Sequence, residues 1–342
     1  MKTVIVASTA KSAGKTSMIV ALAASLGGRC GYIKPVGDRL LYKKKRLWDF
    51  DAMAMADLWA LETNPEDITI GFEHAKLRSM YDEAAVGERL AAMIERGGAG
   101  RDAVFVEAGP VFSFATTLHL DPISMQRATG GDLVLVLTGQ ESTILDEAHF
   151  IRRYLADNGA HVAGVIVNKV ADAAEFESLH RDELARLGMP LWGVVPFAPK
   201  LASRSVRFLV ERLLARVVAG EPGLDRTVEN VFIGAMSVSA AMGDPLFEKP
   251  GKLFITSGDR SDMLLLAIES GASAVLLTNN QVPPSNILSR ASQEQIPLLL
   301  VPWDTYTTVQ KVEQVEALLA PGDRARVAAL GELAAAHIKP AW

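Results

Sequence analysis

Small, hydroxyl and lysine side chains come together in Ala7-Ser8-Thr9-Ala10-Lys11-Ser12-Ala13-Gly14-Lys15-Thr16-Ser17, after an apolar run at residues 4–7 and before an alanine-rich apolar stretch at 18–26. That order suits a phosphate. Small residues let backbone N–H groups approach an anion, and the helix that follows turns its positive end toward it. Lys15 would neutralise the β and γ phosphates of a nucleotide, and Thr16 would set its hydroxyl on Mg²⁺. Ser12, Ala13, Gly14 and Ser17 would complete the cradle. In the G-x-x-x-x-G-K-[ST] pattern, Thr9 stands where the first glycine would be. Gly14-Lys15-Thr16 alone therefore also allows an ordinary turn.

Four further residues follow apolar runs, where an open α/β sheet places ligands. Lys34, in Gly31-Tyr32-Ile33-Lys34-Pro35-Val36-Gly37, is either a surface residue or a second contact to phosphate or a substrate anion. Asp51, in Asp49-Phe50-Asp51-Ala52, either caps a helix or supplies an oxygen to Mg²⁺. Glu107, in Val106-Glu107-Ala108-Gly109, is a second metal carboxylate or a loop cap. Asn168, in Val167-Asn168-Lys169, can donate and accept at once, which suits the edge of a nucleobase. The six histidines show no metal-ligand spacing, and no Ser/Cys/His triad signature is present.

The elements that must position these residues are legible as alternation. Strand-like runs at 30–34, 103–106, 133–137, 162–167 and 191–195 are separated by helical patterns at 51–61, 84–96, 144–156, 174–187 and 206–217. Continuous Val/Leu/Ile strands between helices predict a mostly parallel α/β sheet flanked by helices, since such strands have no solvent-facing side. Ala219-Gly220-Glu221-Pro222-Gly223 reads as a linker. Beyond it a smaller α/β series follows, with strands at 231–234, 253–256, 274–277 and 298–301. Its helices fall at 261–270, 285–294 and 305–319, and a last helix at 322–337 closes the chain. The expected domains are 1–217 and 218–342, consistent with 342 residues exceeding a single core.

Composition narrows the partners. A 49% apolar and 22% charged chain with net charge -5 is an ordinary globular protein, not a general nucleic-acid binder. Lys43-Lys44-Lys45-Arg46 reads as a solvated loop, or alternatively as an anion patch near the nucleotide site. The single Cys30 excludes an internal disulfide and fits a buried thiol in a reducing compartment. No run suits a bilayer span or a secretion signal, so the expectation is a cytoplasmic protein with no membrane partner.

Taken together, residues 3–215 resemble the dethiobiotin synthetase-like P-loop ATPases, a group that includes the cobyrinate diamide synthases and the N-terminal region of long phosphate acetyltransferases. The resemblance rests on Ser12-Ala13-Gly14-Lys15-Thr16, Gly31-Tyr32-Ile33-Lys34-Pro35-Val36, Asp51-Ala52-Met53-Ala54, Val106-Glu107 and Val167-Asn168-Lys169. It implies ATP and Mg²⁺ as cofactors. Lys15 and Lys34 would contact the phosphates or the reacting group, Thr16, Asp51 and Glu107 would hold Mg²⁺, and Asn168 would face adenine. It also implies a homodimer. The second half resembles a DRTGG domain through Gly234-Ala235-Met236-Ser237, Thr256-Ser257-Gly258-Asp259-Arg260-Ser261-Asp262, Leu276-Leu277-Thr278 and Trp303-Asp304-Thr305-Tyr306, with Asn279-Asn280 replacing that family's glycine pair. With the sequence ending at Trp342, neither acetyl phosphate synthesis nor glutamine-derived ammonia is expected of it alone. The leading expectation is a nucleotide-dependent sensor or regulator of metabolism that also meets a small-molecule metabolite. The alternatives are an ATP-dependent ligase that activates a carboxylate or carbamate, and a non-catalytic interaction protein.

Overall fold

Apolar runs with no polar face have to be covered on both sides, and the first unit meets that demand with one sheet. The computed structural model describes the chain apart from Lys44, with Lys43 and Lys200 described by backbone alone. Part of the basic run at 43–46 thus lies outside the described residues. Its Arg46 pairs with Glu66 at 2.8 Å.

The chain runs through β1 (Lys2–Ser8), β2 (Cys30–Ile33), β3 (Leu40–Lys43), β4 (Arg46–Asp49), β5 (Ala103–Glu107), β6 (Asp132–Thr138), β7 (Gly164–Val170) and β8 (Leu191–Pro196). Six of these form a sheet in the order β2-β5-β1-β6-β7-β8. Every pairing in it is parallel. Val4, Ile5, Val6, Val104, Phe105 and Leu135 are fully buried within it, which accounts for their unbroken apolar character. All the carboxyl ends therefore open on one edge. There β1 leads through residues 9–14 into α1 (Lys15–Leu26), and the β3–β4 hairpin leads into α2 (Phe50–Leu58).

The second unit carries β9 (Arg204–Ser205), β10 (Arg216–Ala219), β11 (Thr227–Val228), β12 (Asn230–Ile233), β13 (Lys252–Ser257), β14 (Ala274–Thr278) and β15 (Leu298–Leu300). Its five-stranded sheet has the order β10-β15-β14-β13-β12, parallel except for β10 against β15. Phe232, Phe254, Met263, Leu277 and Leu298 belong to its core.

Two expectations about the division change. The compact units are Met1–Phe197 with Leu318–Trp342, and Ala198–Ala317. The last helix, Arg324–His337, packs on α1 in the first unit, and Ile338 bridges to Gly193. Assigning it to the second domain fails because its Leu330 and Ala334 are buried, an apolar pairing that sequence order does not reveal. The stretch at 219–223 is also no linker. A Cβ on Gly220 would lie 2.0 Å from the Ile296 carbonyl oxygen, and one on Gly223 2.1 Å from that of Gln295. These glycines permit close backbone approach inside the second unit. The helix expected at 206–217 ends at Leu213 for the same reason, because residues 216–219 pair with β15.

Candidate functional site

The loop after β1 is shaped by backbone before any side chain acts. Gly14 sits at φ +93°, and a Cβ there would lie 2.5 Å from Asn168 Nδ2. Only glycine fits both constraints. Ser12 also takes a positive φ of 56°, whereas Thr9 does not appear among the positive-φ residues described. The glycine missing from position 9 is thus not required by this backbone. Instead the Thr9 hydroxyl donates to Glu147, tying the loop to the helix Glu141–Asp157.

Five other helices of this unit begin under an aspartate: Asp49, Asp82, Asp121, Asp172 and Asp323 each accept backbone N–H bonds. By contrast, α1 starts at Gly14 with no side-chain cap and no acid in its first turn. Its orphan N–H groups and positive dipole end are thereby left for an anion.

Lys15 and Lys34 meet very different surroundings. Lys15 is 7% exposed, and its Nζ donates to two neutral oxygens, Ser8 Oγ at 2.9 Å and Pro110 O at 3.5 Å. Burial pulls its pKa down, only partly opposed by Glu107. Lys34 is 1% exposed, and its Nζ lies 2.6 Å from Asp51 Oδ2, 3.2 Å from Asp49 Oδ2 and against Asp38. Burial would lower its pKa too, but Asp51, Asp49, Glu107 and Asp38 together raise it far above the ordinary value. Among the described residues, Asp38, Asp49 and Asp51 are the acidic or metal-ligating group close enough to share one ion. The Lys34 ammonium occupies that place.

Asp49 serves two purposes. Its Oδ1 caps α2 through Ala52 N at 3.1 Å, and its Oδ2 accepts the N–H groups of Asp38 and Arg39 at 3.1 Å each. Burial nonetheless pushes its pKa up. For Asp51 burial acts in the same direction, but Lys34 and Arg39 outweigh it and hold the carboxyl at about 2. Arg39 Nη1 reaches the same Oδ2 at 2.7 Å.

Glu107 ends β5 beneath the loop. Thr16 Oγ1 donates to its Oε1 at 3.1 Å, and Tyr32 OH donates to its Oε2 at 2.8 Å. Burial, then the charge of Asp51, raises its pKa. Its hydrogen bonds come from neutral hydroxyls, and the charges of Lys34, Lys15 and Arg39 offset its burial only in part. With the Thr16 oxygen beside it, the carboxylate offers the hard donors that Mg²⁺ takes.

The expected residues are thus gathered on one edge, with two changes of partner. Asp51 is bound into the Lys34 cage, whereas Thr16 and Glu107 touch directly. Asn168 Nδ2 donates to the Ala13 carbonyl at 2.8 Å, and Lys169 Nζ to that of Ser12 at 2.6 Å, so β7 braces the loop from below. Ser17 follows Thr16 in the first turn of α1. Sequence reasoning missed Ser8, Tyr32, Asp38, Arg39 and Lys169 as parts of the site. Residues 34–38 run through Pro35 and Gly37 outside any helix, so their spacing alone does not signal the Lys34–Asp38 pair.

Residues 2–205 match the family described as the AAA domain, which spans more than half of the chain. The chain belongs to that family. Residues 208–315 match the DRTGG domain, so the AAA-family P-loop domain is followed by a DRTGG domain, as the motifs implied. The phosphate acetyltransferase of Pseudomonas aeruginosa is 25% identical over 372 residues, covering 100% of this AAA-family chain and 51% of that protein. The chain therefore spans about half the length of the curated relatives it matches. Among solved structures, a plasmid partition protein of Borrelia burgdorferi bound to AMPPNP shares 11% identity over 58% of this chain and 88% of its own, at a TM-score of 0.37. The CBS and DRTGG domains of a Clostridium perfringens pyrophosphatase, complexed with the activator diadenosine tetraphosphate, share 17% identity over 47% and 75%, at 0.30. No helix of the described residues is long and apolar enough to cross a membrane.

Proposed function

We propose that the first unit binds ATP with Mg²⁺ at the loop 9–17, and that the chain acts as a nucleotide-dependent sensor whose DRTGG unit passes on the bound state. One observation carries the binding reading: Lys15 is a buried ammonium held by neutral oxygens at an uncapped helix start. A phosphate would supply the missing negative charge. Thr16 and Glu107 would hold the metal. Lys34 and Arg39 both end on Asp51 Oδ2, so Asp51 would offer Oδ1. Bound Mg²⁺ would neutralise charge on the β and γ phosphates. Asn168, with Nδ2 already engaged by the loop, would meet adenine through Oδ1.

The Lys34 cage favours sensing over phosphoryl transfer. A ligase needs a cation that strengthens its hold as charge develops on the transferred group, and Lys34 is already matched by three carboxylates. Isothermal titration should show Mg²⁺-dependent ATP binding that Lys15→Ala weakens about tenfold or more, the worth of a charge-assisted hydrogen bond. Equal affinity in both proteins would overturn the reading. Faster ADP release on adding one carboxylate or amine metabolite would favour the ligase instead.

A further inference from the structure

Away from the loop, at the amino ends of β2 and β5, an open groove of about 500 Å³ lies within the first unit. Its volume falls in the range of small-molecule sites, roughly 300–1,000 Å³. One wall is apolar, built from Val20 and Ala23 of α1 and from Ala99. Arg29 and Arg101 stand at its rim, Cys30 lies in its lining, and Trp59, the residue that ends α2, forms another wall. One acid, Glu62, lines it and is exposed to solvent, and a second, Asp102, lies beside it with its Oδ2 accepting the Arg29 N–H at 2.9 Å.

Trp59 also has a second neighbourhood. Its ring meets Tyr32 edge-on at 6.4 Å and Phe105 at 6.1 Å. Tyr32 in turn donates its hydroxyl to Glu107, which accepts from Thr16. Only two side chains therefore separate the groove from the Thr16 hydroxyl. The helix α2 makes a second link, since Asp51 lies in its first turn and Trp59 ends it.

We propose that this groove is a regulatory site for a small planar organic anion, whose ring lies against Trp59 and whose acidic group sits between Arg29 and Arg101. Two guanidiniums select a carboxylate, sulfonate or phosphate, because their N–H forks match those oxygens. The flat indole and the small apolar wall select a ring. Occupancy holds Trp59 in one position, which fixes Tyr32 and so the carboxylate it orients. Binding to the groove stands by itself, whereas the coupling rests on Mg²⁺ and ATP binding at the loop as proposed above. By linkage, any effect of the anion on ATP affinity is returned equally by ATP on the anion.

The probe is 8-anilinonaphthalene-1-sulfonate, a sulfonate on a flat naphthalene ring whose emission rises in an apolar site, titrated into the full chain. Saturable binding with one site per chain is expected. Arg29→Gln and Arg101→Gln should each weaken it about tenfold or more, and Ala99→Phe, which fills the groove from its exposed side, should abolish it. Arg101 also donates to the Gly97 carbonyl, so Ala99→Phe and Arg29→Gln keep the test independent of that contact. In wild type the probe should shift the affinity for ATP with Mg²⁺ at least threefold in either direction, and Tyr32→Phe should erase the shift while retaining the probe. Non-saturable binding, or binding unchanged by all three groove variants, overturns the site. Site-specific probe binding with an unchanged ATP affinity overturns the coupling. If the chain shows no ATP affinity even without probe, the proposed function fails and the coupling falls with it, while the probe titration alone still decides the groove.

Discussion

Replacing Lys34 by alanine tests the central contrast of the site, because it removes a buried cation and leaves Asp38, Asp49 and Asp51 facing one another. Breaking a buried ion pair from one side costs about 3–5 kcal/mol, since the remaining charge stays uncompensated. For a unit of roughly 150–250 residues, each kcal/mol moves Tm by roughly 2–4 °C, so a fall of roughly 6–20 °C is expected. Lys15→Ala should behave otherwise. Its partners Ser8 and Pro110 are neutral, and the buried Ser8 hydroxyl keeps its bond to the Ala10 carbonyl at 3.0 Å, so the cost is about 1 kcal/mol. The assay is thermal unfolding of the three proteins without nucleotide, followed by tryptophan fluorescence and repeated at falling pH. In wild type, Asp51 is held at about 2, below an unfolded aspartate, so its contribution is full above pH ~4 and is lost as pH falls through about 2. In Lys34→Ala the uncompensated carboxylates take up protons more readily than in the unfolded chain. The variant therefore regains stability relative to wild type as the solution is acidified. A Lys34→Ala protein melting within roughly 2 °C of wild type, or a deficit that does not narrow with acid, refutes the cage.

Three other perturbations probe separate parts of the fold. Gly14→Ala places a Cβ 2.5 Å from Asn168 Nδ2 at a positive φ, so calorimetry should find ATP binding lost, whereas Thr9→Gly should keep it. Burial and Asp102 push the Cys30 thiol up to about 11, so iodoacetamide alkylation of the native chain should be slow at pH ~8 and still accelerating beyond pH ~9, where an ordinary thiol has levelled off. A rate that plateaus at the pH of a free thiol would contradict this. Gly220→Ala drives a methyl into the Ile296 carbonyl at a left-handed φ and should destabilise the second unit by about 2 kcal/mol or more. Faster amide exchange in β10 and β15, with β1 and β5 unchanged, is the signature to look for.

Much of the first sheet was legible because its strands are buried on both faces, which forces unbroken apolar runs such as those of β1, β5 and β6. Strand ends mark one edge of such a sheet by topology alone, and Lys34, Glu107 and Asn168 are singled out that way. The β3–β4 hairpin escaped notice. Its Leu40, Tyr42 and Leu47 are exposed, so burial imprints no apolar alternation on them. Yet that hairpin brings Asp38, Arg39 and Asp49 onto Lys34 and Asp51.

Residue order by itself determined the kinds of group available for phosphate and metal, and the edge of the sheet that would carry them, because both follow from local spacing and strand direction. Tertiary structure alone decided which lysine remains short of negative charge. Electrostatic pairing depends on distances of a few ångströms between segments far apart in sequence. Lys15 is left with neutral oxygens while Lys34 is enclosed by three carboxylates. The glycine at 14 and the threonine at 9 separate along the same line. A motif records where glycine usually stands, whereas the packing of Asn168 beneath Gly14 shows which of the two positions needs it.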